Sequence, residues 1–189
     1  MLTLNFNPFP QINTPRLCLR QISPNDVNEV FFLRSDEVVM KYIDRPKAKT
    51  KEDALKWIDL ILDLENKHES INWVISVPDT LQMIGNICFW RIAKEHYRAE
   101  VGYTLHPDYH GKGIMQEALS AVLHYGFTNM QLHSVEAKIN PLNIPSQKLL
   151  EKNKFVKEAY FREDYFFEGK FYDTAIYCVL SSAFVQNDK

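Results

Sequence analysis

His110-Gly-Lys-Gly-Ile-Met115 lies between an alternating run that ends at Leu105 and an amphipathic stretch that begins at Ile114. Gly111 and Gly113 let the chain turn tightly and leave their amides unobstructed by side chains. A helix starting there aims its unpaired N–H groups and positive dipole end at the same turn. This makes either an anion cradle suited to phosphate or pyrophosphate, or a plain glycine turn. GxxxxGK[ST] is absent, and Gln116 stands where a dinucleotide fingerprint has its third glycine, so neither of those phosphate loops is encoded. Lys112 could contact a phosphate or simply be solvated. A second segment, Asn140-Pro-Leu-Asn-Ile-Pro-Ser146 running on to Phe155, offers Asn140, Asn143 and Ser146 at the mouth of another helix.

The elements that must position these residues follow from periodicity and caps. Arg16–Ile22 alternates and reads as a first strand, and Ser23-Pro24 caps a helix running to about Arg34. Thr50-Lys-Glu-Asp53 resembles a capping box, with Leu55, Ile58, Ile61, Leu62 and Leu64 as the apolar stripe behind it. Strands are predicted at Asn72–Val77, Met83–Ile92 and Arg98–Leu105, with Pro78-Asp79 turning between the first two. Ile114, Ala118, Leu119, Val122 and Phe127 form the core-facing stripe of the helix after Gly113. His133–Ile139 is a strand, and Asn143–Lys152 is a helix with Asn143 as its cap. Two closing strands, Phe155–Tyr165 and Phe171–Leu180, flank the hairpin turn Glu168-Gly-Lys170. Runs of strands with two crossover helices predict an α+β fold with a mixed sheet in three layers.

The chain has 189 residues, close to half of them apolar, which suits one domain with a substantial core. The expected division is a lead segment at 1–13, a single domain at 14–182 and a tail at 183–189. A net charge of −2 excludes a whole-molecule basic field for gripping nucleic acid. Cys18, Cys88 and Cys178 have no metal-ligand spacing, and Pro107 breaks the helical pairing that His106 and His110 would need, so no metal is expected. No run approaches the roughly 20 apolar residues of a membrane span, and the N-terminus lacks a basic region followed by an apolar one, so a cytoplasmic protein is predicted.

These segments, in this order, resemble the GNAT acetyltransferases, and among them the RimJ/RimL-type ribosomal-protein N-acetyltransferases. The family's acyl-CoA signature, Q/R-x-x-G-x-G/A, falls on His110–Met115, with His110 in place of Gln or Arg and Met115 in place of Gly or Ala. Arg98-Ala-Glu-Val-Gly-Tyr-Thr-Leu-His-Pro is similar to the family's fourth strand, and His133 to Phe155 to its fifth strand and last helix. Thr14-Pro-Arg-Leu-Cys-Leu-Arg20 is similar to its opening strand, and Phe161–Tyr177 to its closing hairpin. The resemblance implies a three-layer α/β/α fold with a mostly antiparallel seven-stranded sheet, splayed between strands four and five.

It implies acetyl-CoA as cosubstrate, without metal, and direct attack of a primary amine on the thioester. The backbone of Gly111, Lys112, Gly113, Ile114 and Met115, with His110, would hold the pyrophosphate. Tyr103, Thr104 and Leu105 would pair with the pantetheine amides, and an N–H near Leu105 would polarise the thioester carbonyl. Glu100 is the candidate general base, or otherwise a salt-bridged strand glutamate. In strand alternation it shares a side with Gly102 and Thr104. Ser146 matches the position of a serine suggested to protonate the departing thiolate in RimL-type enzymes, a role many relatives give to a tyrosine; the alternative is a serine satisfying its helix's first turn. Asn140 would position pantetheine or a water, and Asn143 would serve the cofactor or merely cap its helix. Tyr42, Trp90 and Tyr165 border the acceptor side or belong to the core, and Glu100 and Asp164 would make that side acidic. The acceptor implied is a protein or peptide N-terminal α-amine, such as that of a ribosomal protein. The rivals are a small amine (polyamine, aminoglycoside or amino acid) and a non-catalytic acyl-CoA-binding module. A homodimer is common in similar proteins; neither nucleic acid nor membrane is expected as a partner.

Overall fold

The computed structural model describes residues 1–185. Its strands are β1 (Ile12–Asn13), β2 (Cys18–Gln21), β3 (Ile71–Ser76), β4 (Met83–Ala93), β5 (Arg98–Leu105), β6 (Ser134–Ile139), β7 (Val156–Phe167) and β8 (Lys170–Leu180). The helices are α1 (Val27–Ser35), α2 (Glu37–Met40), α3 (Lys51–Asn66), α4 (Ile114–Thr128), α5 (Ile144–Lys152) and α6 (Ser181–Val185). All eight strands form one sheet in the order β1-β2-β3-β4-β5-β6-β8-β7. Every neighbouring pair is antiparallel except β5 and β6. The sheet has one strand more than the seven expected, because Ile12 and Asn13 add a short edge against Leu19 and Cys18.

The parallel pair is where the sheet opens. β5 and β6 are in register only at Arg98/Ser134, Ala99/Val135 and Glu100/Glu136. Beyond Glu100, β5 stays paired with β4 out to Leu105, and beyond Glu136, β6 stays paired with β8 out to Ile139. Each strand keeps its outer partner while the two part from each other. The edge of β5 from Val101 to Leu105 therefore faces a gap, and a strand edge that faces a gap presents unpaired backbone groups.

Helices cover both faces. α1 and α3 bury Val30, Leu33, Ala54, Ile58 and Ile61 against Ile22, Val74 and Met83. On the opposite face α4 buries Ala118, Leu119, Val122 and Leu123, and α5 buries Leu150, against a larger core holding Trp73, Ile87 and Phe89. The capping box at Thr50 and Asp53 is formed. The stripe behind it is narrower than predicted: Leu55 is 38% exposed, and the buried set is Ala54, Ile58, Ile61 and Glu65. Helical geometry places 54, 58, 61 and 65 on one line and turns 55 aside.

The lead segment is packed. Leu2 and Phe6 are buried in the larger core, and the Trp73 indole N–H donates to the Pro10 carbonyl at 2.8 Å. The last residues of the expected tail, 186–189, lie outside the described part. No helix among the described residues is long and apolar enough to cross a membrane.

Candidate active site

The glycine loop is built as a cradle. Gly111 and Gly113 have φ of 71° and 73°, the left-handed region that favours glycine. The first helical hydrogen bond of α4 runs from Glu117 N–H to the Gly113 carbonyl at 3.1 Å. The N–H groups of residues 114–116 therefore have no partner within the helix and point towards the loop. The side chains of Ile114 and Met115 are buried in the core, so these two residues offer a ligand only backbone.

Side chains hold the loop's shape. His110 Nε2 lies 3.0 Å from the Leu105 carbonyl oxygen, which can only accept, so Nε2 carries the proton. Arg16 Nη1 donates to the Lys112 carbonyl at 2.9 Å, and its Nε donates to Glu117 at 2.6 Å. Thr14 and the Arg16 backbone N–H complete the shell around Glu117, whose carboxyl these bonds hold below its ordinary value despite partial burial. The Lys112 ammonium lies over the Tyr109 ring, 5.6 Å from its centre. Arg16 had been read only as part of the opening strand. Its role depends on a contact about a hundred residues away, which local pattern does not encode.

Glu100 stands where β5 and β6 part. Only 5% of the residue is exposed, and Oε2 has no hydrogen-bond partner among the described residues. Arg91 Nη1 and Lys138 Nζ approach that oxygen at 3.6 and 3.7 Å, near enough for attraction but too far for a hydrogen bond. Burial pushes the Glu100 carboxyl above the ordinary range, while Lys138, Arg91 and Arg45 pull it part of the way back. A carboxylate destabilised by burial and not tied by hydrogen bonds has the character of a base ready to take a proton.

Tyr103, three residues along the strand, faces the other side of the sheet. Its hydroxyl is 2.7 Å from Ser146 Oγ, with either atom able to donate. Burial pushes the Tyr103 phenol up to about 12, so it stays protonated at neutral pH. Asn143 Oδ1 accepts the Ser146 N–H at 3.2 Å and caps α5, and Asn140 Oδ1 accepts the Leu142 N–H at 2.9 Å. Both asparagine oxygens are thus engaged in shaping the turn. Thr104, on the Glu100 side, starts a buried polar chain: its hydroxyl donates to Asn86, and Asn86 donates to Asn72 at 3.5 Å. The Asn72 N–H in turn donates to Glu65 at 3.2 Å.

One cavity of about 900 Å³ connects these groups. Glu100, Gly102, Tyr103 and Thr104 line it from β5, and Asn140, Asn143 and Ser146 line it from the turn into α5 and its first residues. Tyr42, Trp90, Asp164 and Tyr165 also line it, and Tyr165 donates to the Asp44 carbonyl at 2.7 Å, joining the β7–β8 hairpin to the segment before α3. The wall carries four cations as well: Arg34, Arg45, Arg91 and Lys138. The Arg45 and Arg91 guanidiniums lie over the Trp90 ring, 4.6 and 4.2 Å from its centre. An acidic groove was expected, and the lining is in fact mixed. Among the sequence-predicted residues, Leu105 and the cradle group from His110 to Met115 do not line this cavity.

The profile of the acetyltransferase (GNAT) domain matches residues 16–156, a stretch that contains the loop, both parted strands and α5. The chain belongs to the GNAT acetyltransferases. Over 172 residues this GNAT N-acetyltransferase is 34% identical to the uncharacterized N-acetyltransferase YoaA of Bacillus subtilis, covering 91% of this chain and 97% of the relative. A solved GNAT acetyltransferase from Bacillus anthracis superposes with a TM-score of 0.81 at 29% identity, over 92% of this chain and 99% of that one. The ribosomal L7/L12 acetyltransferase RimL shares the fold with a TM-score of 0.83 at 20% identity, over 90% and 98% of the two chains.

Proposed function

We propose that this GNAT enzyme transfers an acetyl group from acetyl-CoA to the α-amine of a peptide or protein N-terminus by direct attack on the thioester. The residues present fit the cosubstrate. The free amides at 111–116 would hold a pyrophosphate, and the unpaired edge of β5 at Tyr103–Leu105 would pair with pantetheine amides. When bound, acetyl-CoA supplies an activated acyl thioester. Glu100 accepts the ammonium proton of the acceptor, directly or through one water. The Tyr103–Ser146 hydroxyl pair holds a proton on the opposite face of the sheet, where a departing thiolate needs one.

The observation that carries this reading is the setting of Glu100: a buried carboxylate at the parting of β5 and β6 with Arg91 and Lys138 beside it. An α-amine has a pKa of about 8, against about 10.4 for a lysine-like amine, so it asks little of the base and brings a single charge. Two cations within 4 Å of Glu100 disfavour an acceptor that carries several positive charges of its own. Of the cavity's acidic groups, Asp173 is already taken by the Tyr160 hydroxyl and the Glu163 N–H.

Relatives with named acceptors point both ways. The [ribosomal protein uS5]-alanine N-acetyltransferase of Escherichia coli is 33% identical over 84 residues, covering 44% of this chain. The spermidine N(1)-acetyltransferase of Vibrio cholerae is 24% identical over 177 residues, covering 92% of it. The charge around Glu100 favours the first. The test is CoA-thiol release from acetyl-CoA with two acceptor pools, one of peptides with free N-termini and one of polyamines, aminoglycosides and amino acids. Release with the peptides, abolished by blocking their N-termini, is the expected result. Release with small amines alone would overturn the peptide reading, and silence from both would leave an acyl-CoA-binding module.

A further inference from the structure

Arg34 is an anomaly in the cavity wall. It lies in α1, its guanidinium stacks on Trp57 at 5.0 Å from the ring centre, and its Nε is buried with no hydrogen-bond partner among the described residues. The charge that acts on it there is Arg45, of the same sign. Burial and Arg45 together depress its proton affinity, where an ion pair would raise it. A half-buried guanidinium whose Nε is cut off from water beside a like charge is unfavourable unless something negative completes it. No carboxylate among the described residues pairs with it, which leaves the position open to an anion brought by a ligand.

The cofactor's phosphates are not the natural candidates. The 110–115 cradle does not line this cavity. Phe32 stacks on His106 at 4.4 Å between ring centres, so that side of α1 faces the glycine loop. Arg34 is two residues further on, about 200° round the helix. Arg45 lies over the Trp90 ring on which Arg91, the neighbour of Glu100, also lies, and Arg34, Arg45 and Glu100 line the same cavity. The two arginines therefore line one path leading away from the base.

We infer that Arg34, with Arg45 beside it, receives an anionic group carried by the acceptor, so that the enzyme prefers an amine whose own molecule bears a carboxylate or phosphate. In a peptide acceptor this is an acidic side chain in the first residues. The inference rests on the acetyl-transfer reading and narrows its acceptor. A planar guanidinium fixed against an indole suits such oxyanions, because its fork of N–H groups matches two oxygens at once. The same wall repels a polycation.

The experiment uses the full chain and matched acceptors: peptides that differ only by Asp against Asn, or Glu against Gln, in the first two positions, and phosphoserine against serine. Two readouts are taken, kcat/KM from thiol release and equilibrium binding to the CoA-loaded protein from fluorescence of Trp57 and Trp90. The anionic member of each pair is expected to be favoured by about tenfold or more, the value of a charge-assisted bond. In Arg34→Gln that ratio falls towards one, while Arg34→Lys retains part of it; CoA binding reports that each variant is folded. Whether the Asp/Glu or the phosphoserine pairs show the larger ratio identifies the oxyanion. Turnover or binding that does not distinguish the pairs, or a ratio unchanged in Arg34→Gln, overturns the inference and leaves acetyl transfer standing. Selective binding of the anionic members without turnover sustains it and removes the acetyl-transfer reading instead.

Discussion

Replacing Glu100 by Gln separates chemistry from folding in one variant. The amide keeps the shape of the side chain but cannot take a proton. A positioned general base contributes about 10²–10⁴-fold, and the lower end applies to an amine with a pKa of about 8. At pH 7 kcat should therefore fall about a hundredfold, roughly 2.7 kcal/mol of barrier. The deficit should shrink as pH rises, because the neutral fraction of such an amine grows from about a tenth at pH 7 to about nine-tenths at pH 9. Stability should move the other way. The folded-state proton affinity of Glu100 is raised, so the stability its proton contributes is present below the ordinary carboxylate pKa and lost as pH climbs through the raised one. At pH 7 the wild type thus carries a buried charge that opposes folding, and the Gln variant should be at least as stable, with the difference gone in acid. Releasing Arg91 and Lys138 costs little, because their side chains are 61% and 36% exposed and such pairs are worth about 0–1 kcal/mol. The assays are steady-state thiol release from pH 6 to 9, thermal unfolding at pH 4 and 7, and acetyl-CoA titration, which should be unaffected. A variant that retains wild-type kcat at pH 7 would falsify the base assignment, and a deficit that stays flat to pH 9 would mean that Glu100 does something other than deprotonate the amine.

Three further outcomes follow from the site. Tyr103→Phe should lower kcat about tenfold or more, and Ser146→Ala by less, if the phenol held near 12 is the proton source and the serine its partner; equal and negligible effects in single-turnover assays would make the pair structural. Arg16→Ala removes the bonds to the Lys112 carbonyl and to Glu117, each worth about 0.5–1.5 kcal/mol, so CoA affinity measured by calorimetry should weaken about three- to tenfold with kcat unchanged. Unaltered affinity would show that the cradle keeps its shape without the clamp. The Cys88 thiol, pushed up to about 12 by burial, is thiolate to only about one part in 10⁴ at pH 8, so iodoacetamide should label it in the unfolded chain and spare it in the native one. Rapid labelling of native Cys88, followed by mass spectrometry, would contradict that placement.

What could be read along the chain depended on how local its cause was. Arg98–Leu105 has the same bounds in sequence and structure, because alternation is fixed by neighbouring residues and a proline-bearing turn ends the strand. The Thr50 capping box and the Asn143 cap were legible for the same reason. β1 was missed because two residues between Pro10 and Pro15 carry no period. α2 was missed because its single turn is set by the Asp36 side chain, which accepts the N–H groups of Val38 and Val39. Leu55 was assigned to the core because apolarity alone does not say where a buried stripe ends.

The two halves of the site differ in the same way, and this explains why the reaction was easier to read than its acceptor. The proposed cofactor side is mostly backbone: two glycines with positive φ, a helix start and a strand edge, all within residues 103–116. Such features announce themselves in a short stretch of sequence. The proposed acceptor side is made of side chains from five separate segments, with Arg34 on α1, Arg45 before α3, Arg91 on β4, Glu100 on β5 and Lys138 on β6. One signal was available: once β5 and β6 are taken as a parallel pair, Lys138 falls two residues beyond Glu136, the register partner of Glu100, and so on the same face. Nothing comparable joins Arg34 to Arg45, since only the packing of α1 beside the segment that leads to α3 puts two guanidiniums together. The sign of charge around Glu100 is therefore a property of the assembled fold, and a sequence that offers a candidate carboxylate base leaves undeclared the cations set around it.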